Sequence, residues 1–505
     1  MKFIYFIATL MVTLFSLPLQ AQEELVIQYG DCTPPPETSG LTRGVVQRLP
    51  SRNTNWDAEK IYKQMVILVE FCDMPFTVEN PTEFYNNLFN QSGFNVNKRN
   101  CKGCVADYFR DQSGGLLNLQ FDIYGPVTVS QKAQPYDNPT ESTKNYGRDA
   151  LREATLKIVE ANPDVDYGQY CWKGAGSTTV NQVIYIFAGP PGNVNRNYGY
   201  VWPNTSSFTS VDTPDGKTIS NYSCSGEHWP GSPNTSCGIG TVCHEFTHSL
   251  GLPDLYCTDG SSDNVVIDMW DLMDGGNFTN YGFCPPNYSP LEKILLGWKE
   301  SIELTEPMTE DALNYGKIYK IKNTDTDYYL LETRKQEGWD EGVPGKGLVV
   351  FHVKWDAARW SANTVNNGAK RYDLVHADGL DYYQWLSKME AESLPNYAAD
   401  KKGPMMNANA LSGSPFPYIP AEGDAVTSFS DLPEKALTNI LLKDDGTVSF
   451  DFMGGATALD AVRSLPADGQ RQVFDAAGRK VTSQRSGQLY IVRNADGTLR
   501  KYIAK

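Results

Sequence analysis

The segment His244-Glu245-Phe246-Thr247-His248, followed by Gly251, Pro253 and Asp254, constrains the fold of this chain more than any other stretch. Its two histidines stand four positions apart. Positions i and i+4 share one face of an α-helix, so a helix here sets both imidazoles where they can reach one zinc ion. Glu245, next to the first histidine, can reach a water on that ion and take its proton as a general base. Gly251 provides the left-handed conformation that ends a helix, and Pro253 keeps the helix from resuming. The turn would carry Asp254 toward the same ion as a third, oxygen ligand. A second reading makes Asp254 a turn residue and places the third ligand elsewhere, at Asp259. Two histidines and one carboxylate leave a position for water, as a catalytic zinc requires and a structural zinc does not. The chain has only 5 histidines. Chance would produce such a string in on the order of a few chains per thousand.

Composition bounds the rest. The chain has 505 residues, 40% hydrophobic and 21% charged, which suits ordered globular structure in more than one domain. Asp and Glu number 60 against 44 Lys and Arg, a formal charge of -16 that disfavours nucleic acid as a partner. Lys2, the apolar run from Phe3 to Leu19 and Gln20-Ala21-Gln22 follow the order of a secretory signal peptide, residues 1–21. No later run is long enough for a stable membrane span. In an oxidising compartment the 10 cysteines, all between Cys32 and Cys284, are expected to form disulfides. The pair Cys101-Lys-Gly-Cys104 is read in that way too.

Residues 22–58, with Pro34-Pro35-Pro36, read as a leader or pro-segment. Asp31 or Cys32 could reach the zinc in an unprocessed form, although a disulfide is the simpler role for Cys32. Met65 to Phe71 and Val183 to Phe187 are short continuous apolar runs, the pattern of strands covered on both faces. Leu117, Leu119, Phe121 and Ile123 alternate with polar residues, so this strand has one buried face. Leu151, Ala154, Ile158 and Ala161 recur at helical spacing before Pro163. Residues 59–300 therefore predict an α/β (α+β) catalytic domain. After Trp298, strand-like segments separated by Gly, Pro and Asp predict an all-β, sandwich-like region over 301–455, and residues 456–505 a further small β domain. Glu332 and Arg334 alternate on one such strand as a candidate buried pair. His352 reads as structural, and His228 as a candidate cleft residue.

His244-Glu-Phe-Thr-His-Ser-Leu-Gly-Leu-Pro-Asp-Leu-Tyr256 resembles the active-site segment of the immune inhibitor A-like metallopeptidases, secreted zinc endopeptidases of the metzincin type. Trp270-Asp271-Leu272-Met273 resembles that family's Met-turn. Flanking segments resemble the family from about residue 60 to 455, among them Tyr108 to Gly115, Leu295 to Trp298 and Pro344 to His352. The resemblance implies a metal held by His244, His248 and Asp254, Glu245 as catalytic residue, and Met273 as a packing floor beneath the ion. It also implies Ca2+, but the acids that would bind it are missing at Cys171 to Ser177 and at Cys257. The last fifty residues, from Val473 to Val481, through Gly487 to Val492, to Lys501-Tyr-Ile-Ala-Lys505, resemble type IX secretion sorting domains of Bacteroidetes.

The expectation is a secreted or cell-surface zinc-dependent endopeptidase acting on protein or peptide substrates, exported through the periplasm with the type IX machinery as a partner. Two alternatives remain at this level: a surface binding module on a peptidase-like scaffold, and a zinc amidase acting on cell-wall peptides.

Overall fold

A computed structural model describes residues 56–95, 102–133, 146–172, 176–193, 200–229, 232–259, 266–391, 411–455, 470–475 and 479–504. The expected signal peptide, nearly all of the expected leader, Asp31, Cys32 and Cys101 lie outside the described residues, as does part of the stretch 171–177.

The first half of the chain builds strand β1 (Ile61–Glu70), helices α1 (Pro81–Asn90) and α2 (Val105–Ser113), strand β2 (Asn118–Thr128) and helix α3 (Tyr146–Ala161). Strands β3 (Val183–Phe187), β4 (Asn204–Asp212), β5 (Thr218–Gly226), β6 (His228–Trp229) and β7 (Ser232–Ser236) follow, then helix α4 (Gly240–Leu250). The main sheet has the order β2-β1-β3-β5-β4. Its first four strands run parallel, and β4 closes one edge antiparallel to β5.

The continuous apolar run of β1 has a plain cause. This strand lies inside the sheet, so Val66 and Leu68 face one core while Met65, Ile67 and Val69 face the other. Helices α1, α2 and α4 cover the first face through Tyr85, Phe89, Phe109 and Phe246. Helix α3 covers the second through Leu151, Ala154 and Ile158, the positions picked out by their helical spacing. Placing α4 against a sheet covered on both sides buries the motif it carries.

Beyond α4 come two short 3-10 segments (Asp268–Trp270, Gly275–Gly282) and helix α5 (Pro290–Leu295). Strands β8 (Ser301–Glu303), β9 (Met308–Leu313), β10 (Ile318–Lys322), β11 (Asp327–Arg334) and β12 (Gly347–Lys354) follow. Then come α6 (Ala357–Ser361), β13 (Tyr372–Leu374), α7 (Tyr382–Ala391), β14 (Leu437–Leu442) and β15 (Val448–Phe452). Two sheets, β13-β12-β11-β10-β8 and β14-β15-β9, enclose a core of Leu331, Leu348, Val350, Leu437, Phe450 and Phe452. The alternate residues of the larger sheet, Leu330, Val349, Phe351 and Val353, join the core that contains α4. One hydrophobic core thus runs from the first sheet into the second region.

Two expectations need correction here. The region 301–455 is not wholly β, because α6 and α7 interrupt it. Asp356 caps α6 by accepting from the N–H groups of Ala358 and Arg359, a local signal that overrides the surrounding strand texture. The second correction concerns the cysteines. The eight described cysteines form no disulfide with one another. Cys104 is committed elsewhere: buried at the N-cap of α2, its sulfur accepts from the N–H of Asp107. Burial then raises its thiol pKa to about 12, so it stays protonated at neutral pH.

The final residues form a separate antiparallel sheet of β16 (Gln472–Asp475), β17 (Leu489–Arg493) and β18 (Leu499–Ile503), in that order. No helix among the described residues is long and apolar enough to cross a membrane.

Candidate metal centre

Helix α4 puts His244 and His248 on one face, with ring centroids 5.0 Å apart. Gly251 ends the helix with φ 104°, and its N–H donates to the His248 carbonyl. Pro253 follows, and the reversed chain places Asp254 against both imidazoles. Asp254 Oδ1 lies 3.2 Å from His244 Nε2 and 3.2 Å from His248 Nε2. Among the described residues, these three form the only His, Cys, Asp or Glu group able to share an ion. Asp259, the alternative third ligand, instead accepts from the Cys257 thiol.

The donor set fits a tetrahedral metal ion. Bonds of about 2.0 Å in a tetrahedron give ligand–ligand edges of about 3.3 Å, close to both observed separations. The ring orientations agree. His244 Nδ1 lies 2.8 Å from the Leu272 carbonyl, and His248 Nδ1 lies 2.8 Å from the Leu252 carbonyl. A carbonyl only accepts, so each Nδ1 carries the proton and each Nε2 presents its lone pair to the centre.

The segment after the first 3-10 turn supports the histidines from below. Met273 is fully buried. Its carbonyl accepts from the Leu255 N–H at 2.8 Å, and its own N–H donates to Asp271 Oδ1 at 2.7 Å. Tyr256 stacks on His244, with the rings 6.3 Å apart and 17° from parallel.

Glu245 points to the same region from α4. Burial raises its carboxyl pKa against the opposing pull of His244 and His248. A base with a raised pKa holds a captured proton more firmly than an exposed glutamate does. The two histidines hold the Asp254 carboxyl well below its usual range, against its own burial. Asp254 thus stays anionic and available as a ligand.

Two contributors carry no recognisable sequence signal. Thr205 on the edge strand β4 donates to the Glu245 carbonyl at 2.6 Å and to Glu245 Oε2 at 2.9 Å. Asn363, beyond α6, touches Asp254 through both ends of its amide. His228 is buried with Nδ1 3.0 Å from the Trp229 carbonyl, and it does not join the cluster. His352 pairs with Asp327 at 2.7 Å and stacks on Tyr329, as a structural histidine does.

Residues 211–294, which include the whole cluster, match the family described as Immune inhibitor A peptidase M6, catalytic domain. The chain is 25% identical over 300 residues to Immune inhibitor A of Bacillus thuringiensis subsp. alesti, an alignment covering 51% of this chain and 43% of that protein. It is 21% identical over 251 residues to the pre-pro-metalloprotease PrtV of Vibrio cholerae serotype O1 (strain M66-2), covering 44% of this chain and 26% of that protein. The chain therefore spans less than half the length of these curated relatives. The family match and the two similarities together support an M6-type metallopeptidase.

Proposed function

We propose that this chain is a secreted zinc-dependent endopeptidase in which His244, His248 and Asp254 hold the ion and Glu245 is the general base. The observation that carries the reading is the paired 3.2 Å approach of Asp254 Oδ1 to two correctly oriented imidazoles, with the buried Glu245 one residue away on the same helix. When bound there, zinc supplies Lewis acidity toward a water and toward the scissile carbonyl.

The chain's own groups do the rest. Thr205 engages Glu245 Oε2, which leaves Oε1 to take the proton of the attacking water. A C–O bond forms to the carbonyl carbon. Glu245 then passes its proton to the amide nitrogen as the C–N bond breaks, and the amine departs neutral. Met273 floors the site and fixes the turn that carries Asp254. The organisation proposed with this activity is a signal peptide at 1–21, a leader at 22–58, a catalytic region at 59–300, a largely β region at 301–455 and a type IX sorting domain at 456–505.

Glu245→Ala tests the assignment. The variant is expected to keep one zinc per chain by elemental analysis while its casein cleavage falls by about 10²- to 10⁴-fold. Undiminished cleavage in a folded, zinc-loaded variant would remove Glu245 from the mechanism.

A further inference from the structure

The region after β12 reaches back to the metal cluster through one side chain. Asn363 Oδ1 accepts from the Asp254 N–H at 2.6 Å, and Asn363 Nδ2 donates to Asp254 Oδ2 at 2.6 Å. The amide grips backbone and carboxylate of the same residue, 109 positions earlier in the chain. Both side chains are buried. The grip engages Oδ2, and the two histidines meet Oδ1.

Resting on the zinc reading above, we propose that Asn363 is a positioning residue for the metal. Its amide holds Asp254 in the rotamer that presents Oδ1 alone, so the second region of the chain completes the metal site.

The chemistry of the amide is specific to this task. One end must accept from an N–H and the other must donate to a carboxylate oxygen, and of the two short acidic or amide side chains only Asn does both. An aspartate would place a second anion against Asp254 Oδ2. The backbone also suits Asn, since Asn363 has φ 56°, a left-handed conformation that Asn tolerates better than most residues.

The support for Asn363 is itself rigid. The Asn363 carbonyl accepts from Thr258 Oγ1 at 2.8 Å, and its N–H donates to the Trp360 carbonyl at 3.3 Å. Trp360 is fully buried and stacks on Trp355 with ring centroids 5.2 Å apart. Groups that orient metal ligands in this way typically contribute about 10- to 100-fold to metal affinity.

The test measures zinc affinity of the full chain by competition with a chromophoric chelator, alongside the unfolding temperature of the metal-stripped protein. Asn363→Gly keeps the left-handed backbone available and removes only the amide. It is expected to bind zinc about 10- to 100-fold more weakly than the unsubstituted chain. Asn363→Asp keeps size and turn preference but swaps the donor for a like charge, and is expected to weaken zinc at least as much.

Asn367→Ala is the comparison variant. Asn367 Oδ1 accepts from the Thr258 N–H at 2.8 Å, anchoring the same junction. No hydrogen bond joins Asn367 to Asp254 among the described residues. This variant is expected to lower the unfolding temperature of the stripped protein while leaving zinc affinity within about threefold. Zinc binding by folded Asn363→Gly or Asn363→Asp within threefold of the unsubstituted chain would overturn the proposal, as would an equal loss in Asn367→Ala. Failure of the unsubstituted chain to bind zinc would instead overturn the reading on which the proposal rests.

Discussion

At the scale of single residues, the groups proposed for chemistry divide by how far away their partners lie in the chain. His244, Glu245 and His248 were legible because helical geometry turns local spacing into a shared face, and Asp254 because Gly251 and Pro253 announce a turn. Thr205 and Asn363 were not. Their partners lie 40 and 109 positions away, and nothing in the neighbouring sequence encodes that contact. The Thr205 hydroxyl makes its contacts in a site where Glu245 is buried. Removing it frees the carboxylate to rotate away from the proton it must take. A hydrogen bond of this kind is worth about 1 kcal/mol, so Thr205→Val should lower kcat by several-fold to about tenfold. Zinc affinity should be unchanged in the same variant, because Thr205 touches none of the three proposed ligands. Steady-state kinetics and a chelator titration check the two halves separately.

At the scale of elements, the segment under the histidines holds an unusual buried contact. Asp271 Oδ2 and Glu292 Oε1 are both buried without a hydrogen-bond partner among the described residues, and the two carboxyl groups are neighbours in the core. Burial, and then the adjacent Asp271, hold the Glu292 carboxyl well above its usual pKa, which favours its protonated form beside the Met273 turn. Ser289 fixes the other Glu292 oxygen through its N–H and its hydroxyl, both at 2.8 Å.

The sign of the pH dependence follows from that direction. A carboxyl with a raised pKa in the fold contributes stability fully below its unfolded pKa of about 4.3 and loses it as pH rises through the folded value. Glu292→Gln replaces the titrating carboxyl with a neutral amide. Its unfolding temperature should fall less than that of the unsubstituted chain between pH 5 and pH 8, as thermal denaturation at the two pH values would reveal. Parallel falls in the two proteins would contradict a raised Glu292 pKa. The span of α3 and of β3, and the existence of β1 and β2, were readable from the apolar pattern, although β1 starts four residues earlier and β2 ends five residues later than that pattern; this dyad was not readable at all. It depends on two acids 21 positions apart meeting only after folding.

At the scale of the whole molecule, the change in sequence texture near Trp298 marked where strands take over. It did not reveal that the new sheet has a second buried face. The continuous core explains this: Leu330, Val349 and Phe351 belong to the same hydrophobic cluster as the buried residues of α4. A polar bridge reinforces the junction. Arg334 pairs with Glu332 at 2.8 Å and Asp340 at 2.7 Å, and also donates to the carbonyls of Asn287 and Tyr288. The alternation of Glu332 and Arg334 anticipated their pairing, but not the tie to the segment before α5. All of this is buried, so Arg334→Ala leaves Asp340 without its charge partner in the core, while Glu332 keeps only Lys293, at 2.9 Å. It should cost about 3–5 kcal/mol of stability in denaturant unfolding.

The central claim is that a zinc ion in this cluster performs peptide hydrolysis. Casein cleavage by the purified chain, measured before chelation, after chelation and after return of zinc, tests it most directly. Cleavage is expected to fall about 10²-fold or more on chelation and to recover with one equivalent of zinc. Cleavage that persists at its original rate in zinc-free protein would contradict it.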